Sequence, residues 1–193
     1  MAFLNRLPSS QEAVAMLDDA LPAGSDRLSH TLAVGRRAQL VTERLTVRRA
    51  SLVVAAAYLH DVGYADVAVD TGAHQVDGAR YLRGLGYDDD LCRLVAHHTF
   101  ARIEARNQGL GQALEHEFPM PDGDLAELSD LVTYCDLTTS HRGEPTTVDS
   151  RLADVFTRYE PGHVVERSMR EAEPLARALV DRIRARLHIA ERS

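Results

Sequence analysis

Cysteine is scarce in this chain: Cys92 and Cys135 are the only two in 193 residues. Two thiols cannot build the disulfide framework of a small secreted domain. No apolar run is long enough to span a bilayer, and no signal peptide is recognisable. Basic residues are spread out rather than clustered, and the net charge is -7. A nucleic-acid footprint needs clustered Arg and Lys. The expectation is therefore a reduced, cytoplasmic protein with neither a nucleic acid nor a membrane as partner; a homodimer is left open. Acidity does not exclude an anionic substrate, because bound metal ions can dominate a local field.

Period-two alternation is also missing, which argues against a sheet, and no repeat or linker divides the chain. What is present is helical periodicity. Ser9-Ser10-Gln11-Glu12 is a capping box that opens a helix to about Leu21. Helices are expected over Asp26–Leu45, Val47–Asp61, His74–Leu85 and Asp88–His98. Thr99 to Gly123 reads as a long irregular connection with a turn of helix near Leu110–Glu115. A second capping box at Asp124…Glu127 starts a helix to about Ser140. Val148–Tyr159 follows, and Pro161 opens a last stretch to His188. The fold class expected is all-α: one domain over 1–193, a helical bundle with a core at 27–140 and C-terminal helices at 148–188.

Several polar residues fall on the apolar faces of these helices. At about 100° per residue, His30 aligns with Val34, Ala38, Val41 and Leu45. His74 shares a face with Gly78, Tyr81, Leu82 and Leu85, and Gly78 lets something approach the backbone closely. His98 continues Leu91, Leu94 and Val95, whereas His97 lies to one side. Asp136 falls in the stripe of Leu125, Leu128, Val132 and Cys135. His60-Asp61 ends the apolar run Leu52–Ala57, a helix too uniformly apolar to lie at the surface. One inward His is ordinarily a core residue bonded to a carbonyl. Six such groups left unpaired would cost more than the ~5–15 kcal/mol that keeps a domain folded. Four His and two Asp suit a divalent ion: Mn, Fe, Co, Ni, Zn or Mg, one or two of them.

In order and spacing these residues resemble the HD-domain superfamily of metal-dependent phosphohydrolases. Its lone His, His-Asp pair and distal Asp are matched by His30, His60-Asp61 and Asp136. The two further histidines of its binuclear members are matched by His74 in His74-Gln75-Val76-Asp77-Gly78-Ala79 and by His98 in Val95-Ala96-His97-His98-Thr99. Many relatives carry Lys three places after the Asp; here Tyr64 stands there, so phosphate affinity has to come from metal or arginine. A cyclic-dinucleotide signature after His98 is absent.

The resemblance implies that Asp61 bridges two ions, with His30, His60 and Asp136 on one and His74 and His98 on the other. A hydroxide formed at neutral pH would then attack phosphorus in line. His97 is a candidate to protonate the leaving group. Tyr64, His141 and Arg142 are candidates for the substrate phosphate, with Arg102 a weaker one. Phe118-Pro119-Met120-Pro121 reads as a lid or a core plug, Cys135 as a small buried hydrophobe, and His116, His163 and His188 as surface residues. The leading function is hydrolysis of a small phosphorylated metabolite or nucleotide. The alternatives are a di-iron oxygenase of the same helical ligand order, which the missing Lys favours slightly, and a non-catalytic nucleotide or metal sensor.

Overall fold

The structure, a computed structural model, describes residues 6–190. Helices α1 (Ser10–Ala20), α2 (Asp26–Arg44) and α3 (Ala50–Leu59) are followed by a 3-10 turn at Val62–Tyr64, then α4 (His74–Gly84) and α5 (Asp89–His97). A second 3-10 turn (His98–Phe100) leads to α6 (Ala101–Asn107), α7 (Gly111–Glu117), α8 (Gly123–Leu137), α9 (Val148–Arg158) and α10 (Val164–Ala190). No strand occurs among the described residues, only isolated bridges such as Thr139–Pro145. The fold is all-α.

α3 is the centre. Every residue from Leu52 to Leu59 is buried, because the helix is apolar on all sides and is enclosed by α1, α2, α5 and α8. That enclosure decides where His60 and Asp61 end up: they follow the last turn of the most buried helix. α10 lies across α6, α8 and α9 and closes the bundle, carrying Pro174 within its length.

Several boundaries differ from the sequence expectation, among them the end of α8 at Leu137 rather than Ser140. α3 starts at Ala50 rather than Val47, because Thr46 takes a left-handed conformation (φ 51°) and Arg49 is non-helical. The connection from Thr99 to Gly123 is not irregular: it holds α6 and α7. Each has seven residues and buries only a few apolar side chains (Ala101, Ile103 and Ala105; Leu114), too short a pattern for periodicity to register. α8 begins at Gly123 with no capping side chain, so the Asp124…Glu127 box does not form. Pro161 sits in a turn with Gly162, and α10 begins only at Val164. The first capping box does form, with Ser9 Oγ accepting from Glu12 N and Glu12 accepting from Ser9 N.

Gly78 does admit a close approach: the backbone of Gly63 in the first 3-10 turn rests on it. A Cβ on Gly63 would lie 1.8 Å from the His74 carbonyl oxygen and 2.7 Å from Gly78 N. Backbone on both sides cannot give way without parting α4 from the His60-Asp61 turn. Gly63→Ala should therefore lower stability by about 3 kcal/mol in urea unfolding. Gly84→Ala, with nothing within 4 Å, should leave it unchanged or raise it by up to about 1 kcal/mol. A pH effect belongs to the cap. Bonds from Ser9 N, Arg6 and Ser9 Oγ lower the Glu12 pKa from an ordinary 4.5 to about 2. The folded state holds this proton less tightly than the unfolded chain, so the contribution is complete above pH 4.5 and lost as pH falls towards 2. The thermal midpoint of Glu12→Gln should trail wild type at pH 6 and meet it near pH 2.

Candidate metal centre

Five elements bring the six ligand-type side chains together. α2 presents His30, the end of α3 presents His60 and Asp61, and α4 presents His74 from its first residue. The α5 cap presents His98, and the last turn of α8 presents Asp136. His30, His60, Asp61, His98 and Asp136 are at most 5% exposed; His74 faces the adjoining cleft. His30 and His60 ring centroids are 5.4 Å apart, His60 and His98 5.0 Å, and His74 and His98 5.3 Å.

The orientation of the rings is more telling than their proximity. His30 Nδ1 lies 2.9 Å from the Ser140 carbonyl oxygen, His60 Nδ1 2.8 Å from that of Ala57, and His98 Nδ1 2.6 Å from that of Val95. A carbonyl only accepts, so each Nδ1 carries a proton, and in the neutral ring each Nε2 presents a lone pair. All three lone pairs face the carboxylates. His30 Nε2 is 3.1 Å from Asp136 Oδ1, and His60 Nε2 is 3.4 Å from Asp61 Oδ2. His74 Nε2 and His98 Nε2 are 3.5 and 3.7 Å from Asp61 Oδ1. Nitrogen and oxygen lone pairs set against one another repel unless a metal ion or a proton lies between them. The Nε2 atoms of His30 and His60 are buried and have no hydrogen-bond partner.

Two subsets have donor atoms all within 4.8 Å of one another: His30, His60 and Asp136, and His60, Asp61 and His98. This donor set fits a divalent transition-metal ion. Its two carboxylates are held ionised. Burial opposes charge on Asp61, but Arg27 and His60 outweigh it and hold the pKa well below the usual range. For Asp136, His30 and Arg151 do the same against burial. Burial and the neighbouring His60 pull His98 down to about 4, keeping it neutral and free to ligate. On His60 the opposite holds: burial lowers the pKa, but Asp61 and Asp136 raise it further.

Around this centre lies a cleft of about 200 Å³. Tyr64 and His141 line it; Tyr64 stacks on His74 with centroids 4.1 Å apart, and His141 Nδ1 is 3.2 Å from Asp154 Oδ1. Three other candidates lie elsewhere and are corrected. Arg142 and Arg102 are exposed and outside the cleft. His97 does not face the ligands: its Nε2 meets the Phe118 carbonyl at 2.6 Å, which is the structural role. Phe118 itself is fully buried, so its segment plugs the core instead of covering substrate. His116, His163 and His188 are exposed, and burial pushes the Cys135 thiol up to about 12.

The cleft also holds residues that sequence reasoning missed. Arg27 bonds Asp61 Oδ2 and lies over the Tyr64 ring, 3.8 Å from its centroid. It stands one helical turn before His30 on the same face, a spacing that could have revealed it. Arg151 Nη2 is 3.3 Å from Asp136 Oδ1, and nothing in the amphipathic pattern of α9 marks it out. Thr99 Oγ1 donates to Asp136 Oδ2. Thr99 and Phe100 both take left-handed conformations (φ 47° and 62°), strain that is tolerated where the surroundings fix it.

An all-helical bundle with an inward cluster of histidines and aspartates defines a class of proteins that hold divalent metal between helices. Comparison with known families places the match more narrowly: residues 27–162 match the HD domain, and the chain belongs to that family. The match runs beyond Asp136 through α9, which supplies Arg151. Comparison with curated proteins and with solved structures found no match.

Protein purified without chelator should carry at least one divalent ion per chain by plasma mass spectrometry, and His60→Ala and Asp61→Ala should retain less than about a tenth of it. Thr99→Val, which removes the hydroxyl on Asp136, should weaken metal binding by roughly tenfold.

Proposed function

We propose that the protein is a metal-dependent phosphohydrolase acting on a small phosphorylated metabolite or nucleotide. The observation that carries this reading is the pairing of the histidine–aspartate centre with Arg27 in one cleft. A divalent ion held by His30, His60, Asp61, His74, His98 and Asp136 would supply a hydroxide at neutral pH and neutralise charge growing on the phosphoryl oxygens. Arg27 is the chain's own contribution to the phosphate. Its guanidinium is shared between Asp61 and the face of Tyr64, so it is oriented before substrate arrives. Arg151 braces Asp136, pairs also with Asp154 and lines the same cleft. Tyr64 is a platform: burial and Asp61 push its pKa up, so at neutral pH it stays a neutral phenol able to donate a hydrogen bond.

Arg27 also bears on the oxygenase alternative. The missing Lys had weighed towards it, and the guanidinium over Tyr64 restores a cation at that place. No lysine occurs anywhere in the chain; all 22 Lys-plus-Arg residues are arginines. The partner in this reading is a small phosphorylated molecule, with neither nucleic acid nor membrane involved. No helix among the described residues is long and apolar enough to cross a membrane.

A screen of phosphorylated metabolites with Mn, Co and Ni should find turnover that His60→Ala abolishes. Arg27→Ala should raise KM roughly ten- to hundredfold, the loss of one charge-assisted bond. Protein that holds iron, turns over with oxygen and leaves every phosphate ester intact would reverse the reading.

A further inference from the structure

Two lining residues of the cleft differ in character from its arginines: Gln75, on the first turn of α4, and Glu104, on α6. Gln75 is 4% exposed, and its Oε1 is buried with no hydrogen-bond partner. An amide oxygen in that condition is an acceptor held ready at a cost, and in a cleft wall it marks where a donor belongs.

Glu104 supports the same assignment. The other buried carboxylates of the cleft face cations: Asp61 meets Arg27, and Asp136 meets Arg151. Among the described residues no arginine is paired with Glu104. It is bonded instead by the side-chain amide of Gln108, whose Nε2 lies 3.3 Å from Glu104 Oε1, and the Gln75 amide acts to lower its pKa. Burial and the nearby Asp61 raise its pKa, while His163 acts weakly in the opposite direction. A phosphate cannot be what this wall binds, since Glu104 and the Gln75 oxygen would both repel it.

We propose that Gln75 and Glu104 form a subsite for the non-phosphate part of the substrate, and that this part carries hydroxyl groups. The inference rests on the hydrolase reading above and narrows it from any phosphate ester to one of a sugar or other polyol. Hydroxyls are favoured over an ammonium group because the unpartnered atom is the neutral oxygen of Gln75, while Glu104 already accepts from Gln108. A hydroxyl donates to that oxygen and accepts nothing from it, so orientation is fixed by one bond.

The test uses the full chain as purified, its metal content measured, and compares three probes by titration calorimetry. Ribose 5-phosphate offers hydroxyls, O-phosphoethanolamine an ammonium group and methyl phosphate neither. Wild type should bind ribose 5-phosphate roughly tenfold tighter than methyl phosphate, the worth of one or two satisfied bonds. Gln75→Leu should collapse that ratio to within about twofold, because a buried donor then meets hydrocarbon. Glu104→Gln serves as the second variant should the first fail to fold, and it should also shrink the ratio. No preference in wild type, a ratio that survives both variants, or tightest binding of O-phosphoethanolamine would overturn the assignment. Should both esters bind but resist hydrolysis with every metal, the hydrolase reading falls and the ratio still decides the subsite.

Discussion

A buried imidazole nitrogen with no hydrogen-bond partner costs about 1–3 kcal/mol. His30 and His60 each carry one into the same pocket, beside two carboxylates that arginines keep ionised. Stability alone would not retain this arrangement, since apolar side chains would pack there without penalty. The bundle is built to sustain it. α3 is buried along its whole length so that its end opens in the interior, and three backbone carbonyls fix which nitrogen of each ring faces inward. The Gly63–Gly78 contact then brings α4, and with it His74, against the turn that carries Asp61. A cation would resolve the conflict among these groups, and their convergence is the constraint from which the rest follows.

Much of this was legible in the sequence because burial and polarity contradict each other there. His30 and Asp136 sit within apolar stripes, and the His60-Asp61 pair interrupts an unbroken apolar run. Such contradictions survive any error in helix boundaries, so misplacing the start of α3 by three residues did no harm. The six ligand-type residues meet as their faces suggested. Arg142, Arg102 and His97 were candidates by nearness in sequence to those residues. Adjacent residues on a helix point about 100° apart, and that rotation sends His97 to the Phe118 carbonyl. The two arginines that do enter the cleft were hidden for opposite reasons. Arg27 was in register with His30 but went unremarked, whereas Arg151 reaches the cleft through a packing of α9 that no local pattern encodes. α6 and α7 were invisible because seven residues give too few apolar positions to establish a period.

Arg27 and Arg151 engage the clustered carboxylates, while the side-chain oxygen of Gln75 has no hydrogen-bond partner and no arginine pairs with Glu104 among the described residues. In a chain without lysine such contacts fall to arginine, whose planar fork can bond a carboxylate while its face rests on a ring. A lysine ammonium in place of Arg27 could not lie flat on Tyr64 in the same way.

The left-handed pair Thr99-Phe100 turns the chain from the end of α5, where His98 joins the cluster and Thr99 holds Asp136, into α6. A short rigid corner of this kind fixes the direction of α6 without drawing on the six clustered side chains, so the sequence of that seven-residue helix can vary while the cluster keeps its geometry.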